Sequence, residues 1–257
     1  MSNTILVRQE GRVVVLTFNR PEKLNALSTE LRKTFHHKLL ELDQDDGVGA
    51  IVVTGAGDRA FTAGMDLTEA SQRKKGEPRA PDEDPVVAMQ KCRKPIVFAI
   101  NGLCITGGME MMLTADIIIA SRTAKFADTH VRVGLMPGWG ISQRLSRQIG
   151  PQRAKEISLS GNFFDAQRMY DLGVINRVVE PEELMPAAMA LARDFADADQ
   201  QVVMAYKKLI DDGFKMDLAH GLELEHQRSN AYADALPAEH YAKAKVTAST
   251  RARKQKA

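Results

Sequence analysis

The chain has 257 residues, 44% of them apolar, so it can bury a sizeable core within one large domain. Its 35 basic and 33 acidic residues are interspersed and leave a net charge of +2, which argues against a nucleic-acid binder that works through charge. The two cysteines, Cys92 and Cys104, lie in or beside apolar segments without metal-site spacing. We therefore expect reduced core thiols, with no disulfide and no metal centre.

The N-terminal residues show no basic region followed by an apolar stretch and a cleavage site, so no signal peptide is predicted. Glu110, Asp116 and Arg122 interrupt the most apolar part of the chain, which leaves no uncharged run of bilayer length. These two observations predict a soluble, cytoplasmic protein that makes no membrane contact.

The first 54 residues predict alternating strands and helices. Residues 5–7 and 13–18 read as a hairpin, and residues 50–54 as a further strand. Between them, Ser28 is a candidate N-cap for a helix that continues to about Leu42. The helix has an apolar face, formed by Leu31, Phe35, Leu39 and Leu42.

Residues 55–60 have the form G-x-G-x-x-A, which is a dinucleotide-binding pattern in other contexts. We reject that interpretation because such a turn must open directly into a helix, and here residues 61–64 intervene. A glycine surface loop is expected instead. Gly64 then precedes a possible helix start at Met65 and Asp66.

Residues 73–84 (RKKGEPRAPDED) predict a solvated, mobile loop, and its position would also suit a lid over a ligand. Asp84 is a candidate N-cap for a helix that continues to about Cys92.

The stretch 94–140 carries the chemistry. An apolar strand, 96–100, is broken by Asn101 and Gly102, and Gly107 and Gly108 directly precede a run of helix formers. The first N–H groups of a helix have no partner within it and can hold an oxyanion, while glycine lets a carbonyl approach closely. Glu110 would place a carboxylate nearby. This pattern predicts an anion hole beside a base, and its alternative is an ordinary surface glutamate.

Beyond the central helix, strands are expected at 117–120 and 174–179, and residues 126–133 are less regular. Helices are expected at 141–149, after Pro151 and after Asp165, and from Pro181 onward only helices are predicted, at 182–196, 200–212 and 217–235. The basic residues after 239 predict a solvated tail, with contact to the phosphates of an anionic ligand as the alternative.

Several spaced segments in this order resemble the enoyl-CoA hydratase/isomerase (crotonase) family. They are residues 16–21 (LTFNRP), 24–27 (LNAL), 50–55 (AIVVTG), 61–67 (FTAGMDL), 94–140, 143–145 (QRL), 149–150 and 166–179. Any one of these segments alone would be weak, but their common order makes a chance match improbable. The resemblance covers roughly the first two hundred residues, and from about Gly221 the chain departs from the family's usual ending.

The resemblance implies an α/β fold of the crotonase (ClpP/crotonase) type, a spiral of repeated ββα units with a helical C-terminal extension. We assign residues 1–195 to this core, which would carry the acyl-CoA site, and 196–257 to a helical oligomerisation region. It also implies a homo-oligomer, a trimer or a dimer of trimers, that acts on an acyl-CoA thioester without a metal or redox cofactor.

By the same resemblance, the N–H groups of Met65 and Gly107 form an oxyanion hole for the thioester carbonyl. Residues of three segments match positions that bind the substrate, and Trp139 is expected to form a wall of the acyl pocket. These substrate-binding positions are Lys23, Leu24, Ala26, Ala63, Gly64, Asp66, Leu67, Gly108 and Trp139.

In the hydratases of this family two glutamates hold the attacking water. Glu110 matches the first, and twenty residues later the position of the second holds His130. We expect both to be catalytic in the hydration of a 2-enoyl-CoA, with Asp128 either orienting His130 or simply exposed. The alternatives are double-bond isomerisation, thioester hydrolysis, or acyl-CoA binding without catalysis.

Overall fold

The computed structural model describes residues 3–72, 74, 76 and 80–237. Its contacts divide the chain into two compact units, Met1–Met204 and Ala205–Ala257. The sequence places the start of the C-terminal region at residue 196, and the division falls inside the helix Gln200–Gly213. Among the described residues no helix is both long and apolar enough to cross a membrane.

The strands of the first unit form two sheets. Their bounds are β1 (Ile5–Glu10), β2 (Val13–Phe18), β3 (Ala50–Gly55), β4 (Ala60–Thr62), β5 (Ile96–Ile100), β6 (Leu103–Ile105), β7 (Ile117–Ser121), β8 (Lys125–Ala127), β9 (Phe164–Asp165) and β10 (Arg177–Val179). The larger sheet has the order β1-β2-β3-β5-β7-β10 and is parallel apart from the β1/β2 hairpin. The smaller sheet has the order β4-β6-β8-β9.

The chain alternates between the two sheets. Strands β3, β5 and β7 lie in the larger sheet, and each is followed within a few residues by its successor, β4, β6 or β8, in the smaller one. A helix or a helical segment then returns the chain to the larger sheet. This repeated ββα path is the spiral that the family resemblance implies.

The helices are shorter in the centre of the chain than at its ends. Their bounds are α1 (Thr29–Gln44), α2 (Leu67–Gln72), α3 (Pro85–Lys91), α4 (Gly107–Met112), α5 (His130–Val133), α6 (Ile141–Ile149), α7 (Pro151–Ser160), α8 (Ala166–Asp171), α9 (Leu184–Ala196), α10 (Gln200–Gly213) and α11 (Leu218–Asp234). Three 3-10 helices occupy Pro21–Lys23, Pro81–Glu83 and Pro181–Glu183. Ser28, Asp84 and Asp165 cap α1, α3 and α8 through side-chain hydrogen bonds, as the sequence predicts.

The central strands of the larger sheet are buried on both faces. Along β2, Val14 and Leu16 belong to the core cluster that contains α1, whereas Val13 and Val15 belong to the cluster that contains α9. Successive side chains of a strand point to opposite faces, so α1 and α9 cover opposite sides of this sheet. The apolar run of β5, fully buried, fits the same sandwiched position.

Two expectations about local structure were wrong. The last strand covers only Arg177–Val179, and Val174 to Asn176 lie outside it. The segment 126–133, predicted to be less regular, contains the end of β8 and the short helix α5. Within the predicted polar loop, Glu83 is buried and its carboxylate lies 3.7 Å from the Arg32 guanidinium. Residues 73, 75 and 77–79 of that loop and the basic tail after 239 lie outside the described residues.

Candidate active site

The site lies where β6 leaves the smaller sheet and α4 begins. Helix α4 starts at Gly107, and Glu110 stands in its first turn with 3% of its surface exposed. A Cβ on Gly108 would approach Thr62 Cγ2 to 2.5 Å, so glycine lets the start of α4 pack against β4. The local sequence thus fixes the Glu110 carboxyl group at the base of a recess.

The recess encloses about 670 Å³ of space, its opening to solvent included. Its walls combine the predicted catalytic residues with an apolar rim. The lining residues are Ala63, Met65, Leu67, Thr106, Gly107, Glu110, Thr129, His130, Val133, Leu135, Met136, Gly138 and Trp139.

The Glu110 carboxyl group is held by backbone donors from the entry to α6. Its Oε1 accepts hydrogen bonds from the Trp139 N–H at 2.8 Å and the Ile141 N–H at 3.4 Å. Its Oε2 lies 3.8 Å from His130 Nε2. Burial raises the pKa of Glu110 despite the donors and the nearby imidazole. Desolvation therefore outweighs the backbone donors in setting the direction of this shift.

His130 is held from the other side by Asp128. The imidazole Nδ1 lies 2.6 Å from Asp128 Oδ1, and the Asp128 side chain is almost fully buried. An ionised carboxylate can only accept, so Nδ1 carries the hydrogen and Nε2 is directed toward Glu110. Burial alone would lower the pKa of His130, but the hydrogen bond to Asp128 and the charges of Asp128 and Glu110 raise it. Asp128 thus orients His130, although through a turn into α5 and not an extended strand.

Asp128 itself stays ionised. Burial would raise its pKa, but hydrogen bonds from His130 and Ser158 and the charge of the imidazole lower it. Three ionisable groups therefore follow one another in the site, in the order Asp128, His130, Glu110.

The backbone N–H groups of Met65 and Gly107 belong to two segments that meet at the recess. Among the described residues, no hydrogen bond uses the N–H of Met65 or of Gly107. The segments that carry them are in close contact, because a Cβ on Gly64 would lie 2.8 Å from the Ile105 carbonyl oxygen and 3.4 Å from the Gly107 nitrogen. Both N–H groups belong to residues that line the recess beside Glu110.

The chain is similar to known proteins over most of its length. The model of the enoyl-CoA hydratase/isomerase family matches residues 8–243. The chain belongs to the enoyl-CoA hydratase/isomerase family. It is 42% identical to a protein of Arabidopsis thaliana named probable enoyl-CoA hydratase 1, peroxisomal, over 94% of this chain and 91% of that one.

Two further family members extend the comparison. The short-chain-enoyl-CoA hydratase of Clostridium acetobutylicum is 33% identical over 88% of this chain and 87% of its own length. The crystal structure of an enoyl-CoA hydratase from Bacillus anthracis superposes with a TM-score of 0.82 at 30% identity, covering 89% of this chain and 90% of that one. The crotonase-type fold expected from the sequence is confirmed by this similarity.

The predicted substrate-binding residues of this family member fall into two groups, those that line the recess and those that do not. Ala63, Leu67 and Trp139 line the recess, whereas Lys23, Leu24, Ala26, Gly64, Asp66 and Gly108 are not among its lining residues. The segment with Lys23 nevertheless runs alongside the Met65 segment: Leu24 O accepts from the Ala63 N–H at 2.9 Å, and the Leu27 N–H donates to Gly64 O at 2.8 Å.

Asp66 has a structural role in this arrangement. Its Oδ2 accepts a hydrogen bond from the Arg20 guanidinium at 3.0 Å, and its Oδ1 accepts from the Thr68 and Glu69 N–H groups at the start of α2. The same guanidinium donates to Ala26 O at 2.7 Å. Arg20 therefore joins the Ala26 segment to Asp66 through hydrogen bonds. The sequence pattern did not identify Arg20 as a site residue.

Sequence reasoning also missed part of the lining. The residues not anticipated are Thr106, Thr129, Val133, Leu135, Met136 and Gly138. Leu135 and Met136 are 49% and 87% exposed, which is unusual for large apolar side chains. The local sequence pattern does not predict this exposure. The sequence also gives no reason to select Thr106 and Thr129, because they contact each other across segments that are distant along the chain.

Proposed function

We propose that this protein adds water across the double bond of a 2-enoyl-CoA thioester, with Glu110 and His130 as the acid–base pair. The observation that carries the proposal is their geometry: Oε2 and Nε2 lie 3.8 Å apart in a recess that also presents two unused N–H groups. The names of the relatives, which are enoyl-CoA hydratases, favour hydration over isomerisation and thioester hydrolysis.

The N–H groups of Met65 and Gly107 are proposed to bind the thioester carbonyl oxygen. Attack at Cβ moves the electron pair of the double bond toward Cα and the carbonyl oxygen, which becomes an enolate oxygen. Fixed donors stabilise that charge more than they stabilise the neutral carbonyl, by about 3–4 kcal/mol for one donor in comparable sites.

A water molecule between the two side chains is the proposed nucleophile. Its oxygen bonds to Cβ, and its proton passes to whichever member of the pair is unprotonated. The other member delivers the proton that the pair already holds to Cα. The pair thus begins and ends with one proton, and the pKa values of both Glu110 and His130 are raised, which favours retention of that proton.

The coenzyme A part of the substrate is proposed to extend from the recess along the Lys23–Ala26 and Ala63–Leu67 segments. Exposed Lys23 offers the positive charge that a nucleotide phosphate would contact. The reaction needs no metal or redox cofactor in this scheme. A trimer or a dimer of trimers and a cytoplasmic location remain our proposals.

Loss of the enoyl thioester's ultraviolet absorbance, with mass spectrometry of the product, tests the activity directly. Crotonyl-CoA should gain the mass of one water. Glu110→Gln and His130→Ala should each lower kcat by about two to four orders of magnitude while KM changes little, because general acid–base groups contribute about that much. A product of unchanged mass with a moved double bond would indicate an isomerase, and free coenzyme A a hydrolase.

Two other residues provide matched controls. His37 and Glu41 are of the same residue types as the catalytic pair, and both lie on the exposed side of α1. His37→Ala and Glu41→Gln should leave kcat unchanged. Full activity of His130→Ala would show that His130 has no catalytic role. A wild-type protein that binds enoyl thioesters but converts none of them would be an acyl-CoA binder only.

A further inference from the structure

Thr106 has an unusual backbone conformation. Its φ of 50° and ψ of −101° lie outside the regions that a β-branched residue ordinarily adopts, and it is the residue directly before Gly107. Such conformations are strained and persist only where the surroundings impose them. Because ψ of Thr106 sets the plane of the next peptide bond, this conformation directly determines where the Gly107 N–H points.

The side chain of Thr106 is fixed by a second threonine. Its Oγ1 lies 2.6 Å from Thr129 Oγ1 and accepts a hydrogen bond from the Thr129 N–H at 3.1 Å. The Thr106 N–H donates to the Ala127 carbonyl at 2.8 Å, which continues the β6/β8 pairing by one residue. Thr106 is therefore held at both its backbone and its side chain.

Thr129 occupies the corresponding place before His130. It is the N-cap residue of α5, yet its hydroxyl makes no capping hydrogen bond, since it contacts Thr106 instead. A threonine at an N-cap ordinarily accepts from the first turn of its helix. Here the hydroxyl bridges two segments, and the helix that it could cap begins with His130.

We infer that the Thr106–Thr129 hydroxyl pair is a positioning unit that fixes the Gly107 N–H and the His130 imidazole relative to each other. The inference rests on the proposed roles of these two groups. Thr106 directly precedes Gly107, and Thr129 directly precedes His130. The contact between their hydroxyl groups therefore joins the strained peptide at the start of α4 to the start of α5. Both threonines line the recess and are only partly exposed, so solvent competes weakly for the contact.

Removing the hydroxyl groups while keeping the shape tests this inference. Thr106→Val and Thr129→Val should each lower kcat for crotonyl-CoA hydration by about ten- to a hundredfold with KM changed less than about threefold, because misdirected donors and bases lose transition-state stabilisation. Thr106→Ser and Thr129→Ser retain the hydroxyl and should stay within about threefold of wild type. The double valine variant should be no slower than the worse single variant, because both changes break one contact.

Thr106→Gly keeps the test decisive if a valine variant does not fold. Glycine adopts the backbone conformation without strain but lacks the hydroxyl, so the variant should fold and still lose kcat. The turn between β7 and β8 offers a matched control, a Ser121–Thr123 hydroxyl contact of 2.8 Å whose residues do not line the recess. Thr123→Val should leave kcat unchanged.

Two outcomes would overturn the inference. One is folded valine or glycine variants as fast as wild type, and the other is serine variants as slow as their valine counterparts. Failure of the proposed function is distinguishable, because the wild-type enzyme would then hydrate no enoyl thioester, or would do so unaffected by Glu110→Gln and His130→Ala.

Discussion

At the scale of single residues, the site combines an imidazole with a carboxylate where the family resemblance leads one to expect two carboxylates. The difference matters for charge. Two carboxylates in a buried site repel each other, whereas His130 can carry the proton as a cation beside Glu110 or remain neutral beside its acid form. Asp128 makes this possible, because its buried carboxylate stabilises the imidazolium and fixes the ring.

Asp128→Asn should change the pH dependence of hydration. Asparagine keeps the shape and can still accept a hydrogen bond from Nδ1, but it removes the negative charge that raises the pKa of His130, so that pKa should fall. The limb of the kcat/KM profile that reports His130 should therefore move to lower pH, and kcat should drop because the imidazole is less firmly oriented. A profile of kcat/KM between pH 5 and pH 10 measures both effects.

A second aspartate–histidine contact provides the control for this prediction. Asp82 Oδ2 lies 3.1 Å from His37 Nε2 at the surface of α1, and neither residue lines the recess. Asp82→Asn should leave the pH profile as it is in the wild-type enzyme. An Asp128→Asn enzyme with the wild-type profile would mean that His130 does not titrate in the rate-determining process.

Among the elements, the ends of β4 and β6 approach each other closely. This approach sets the positions of the Met65 and Gly107 N–H groups, which are proposed to bind the thioester carbonyl oxygen. Gly64 follows β4 with φ of +85°, is buried, and leaves no space for a Cβ beside the Ile105 carbonyl at the end of β6. The family resemblance makes Gly64 one of the substrate-binding positions. The structure gives a reason for glycine at this position, namely the packing of one chain segment against another.

Gly64→Ala should destabilise the fold as well as the site. The left-handed backbone and the 2.8 Å approach of the new Cβ to the Ile105 oxygen together should cost about 2–4 kcal/mol in the free energy of unfolding. Any relief of the clash moves the Met65 and Gly107 N–H groups apart, so kcat should fall too. Urea denaturation and steady-state kinetics on the same preparation measure the two losses.

Gly173→Ala is the matched control for that substitution. Gly173 has a similar φ of +79°, but a Cβ there meets nothing within 4 Å. It should cost only the backbone strain, about 1 kcal/mol, and leave kcat unchanged. Equal losses in the two variants would show that backbone strain alone, and not the contact with Ile105, explains the glycine at position 64.

For the molecule as a whole, the C-terminal unit contains a cluster of ion pairs around Asp212. Asp212 accepts hydrogen bonds from Lys208, Arg228 and Lys215, and these cations lower the pKa of its carboxyl group. The contacts join α10 to α11. Several large apolar side chains of this unit are more than half exposed: Tyr206, Ile210, Phe214, Leu218 and Leu222.

These exposed side chains support the expectation that the protein forms an oligomer, which we predict to be a hexamer. Apolar side chains clustered on a surface are typical of protein interfaces. Light scattering at micromolar concentration should give a mass near six times the chain mass of 28.4 kDa. Replacing Leu218 and Leu222 by serine should reduce that mass, whereas Leu6→Ser, at an exposed position on β1, should not. A monomeric mass for the wild-type protein would contradict the prediction.

The sequence by itself determined the elements whose patterns are long enough to read. The apolar face of α1, the buried runs of β3 and β5, and the caps Ser28 and Asp84 were all predictable from periodicity and side-chain chemistry. Spaced motifs also identified the family, which the comparisons confirm. By contrast, β4, β6 and β8 have three residues each, too few for a period of two to stand out, so the smaller sheet was missed.

Tertiary structure alone decided the electrostatics and the geometry of the site. The sequence placed Glu110 beside a helix start, which favours the ionised form, but burial within the fold reverses the direction of its pKa shift. The sequence aligned His130 with a catalytic position, but the turn that directs Asp128 onto Nδ1 follows from the end of β8. Thr106 and Thr129 meet because β6 and β8 are neighbours in the smaller sheet, and a contact between strands leaves no trace in the order of residues.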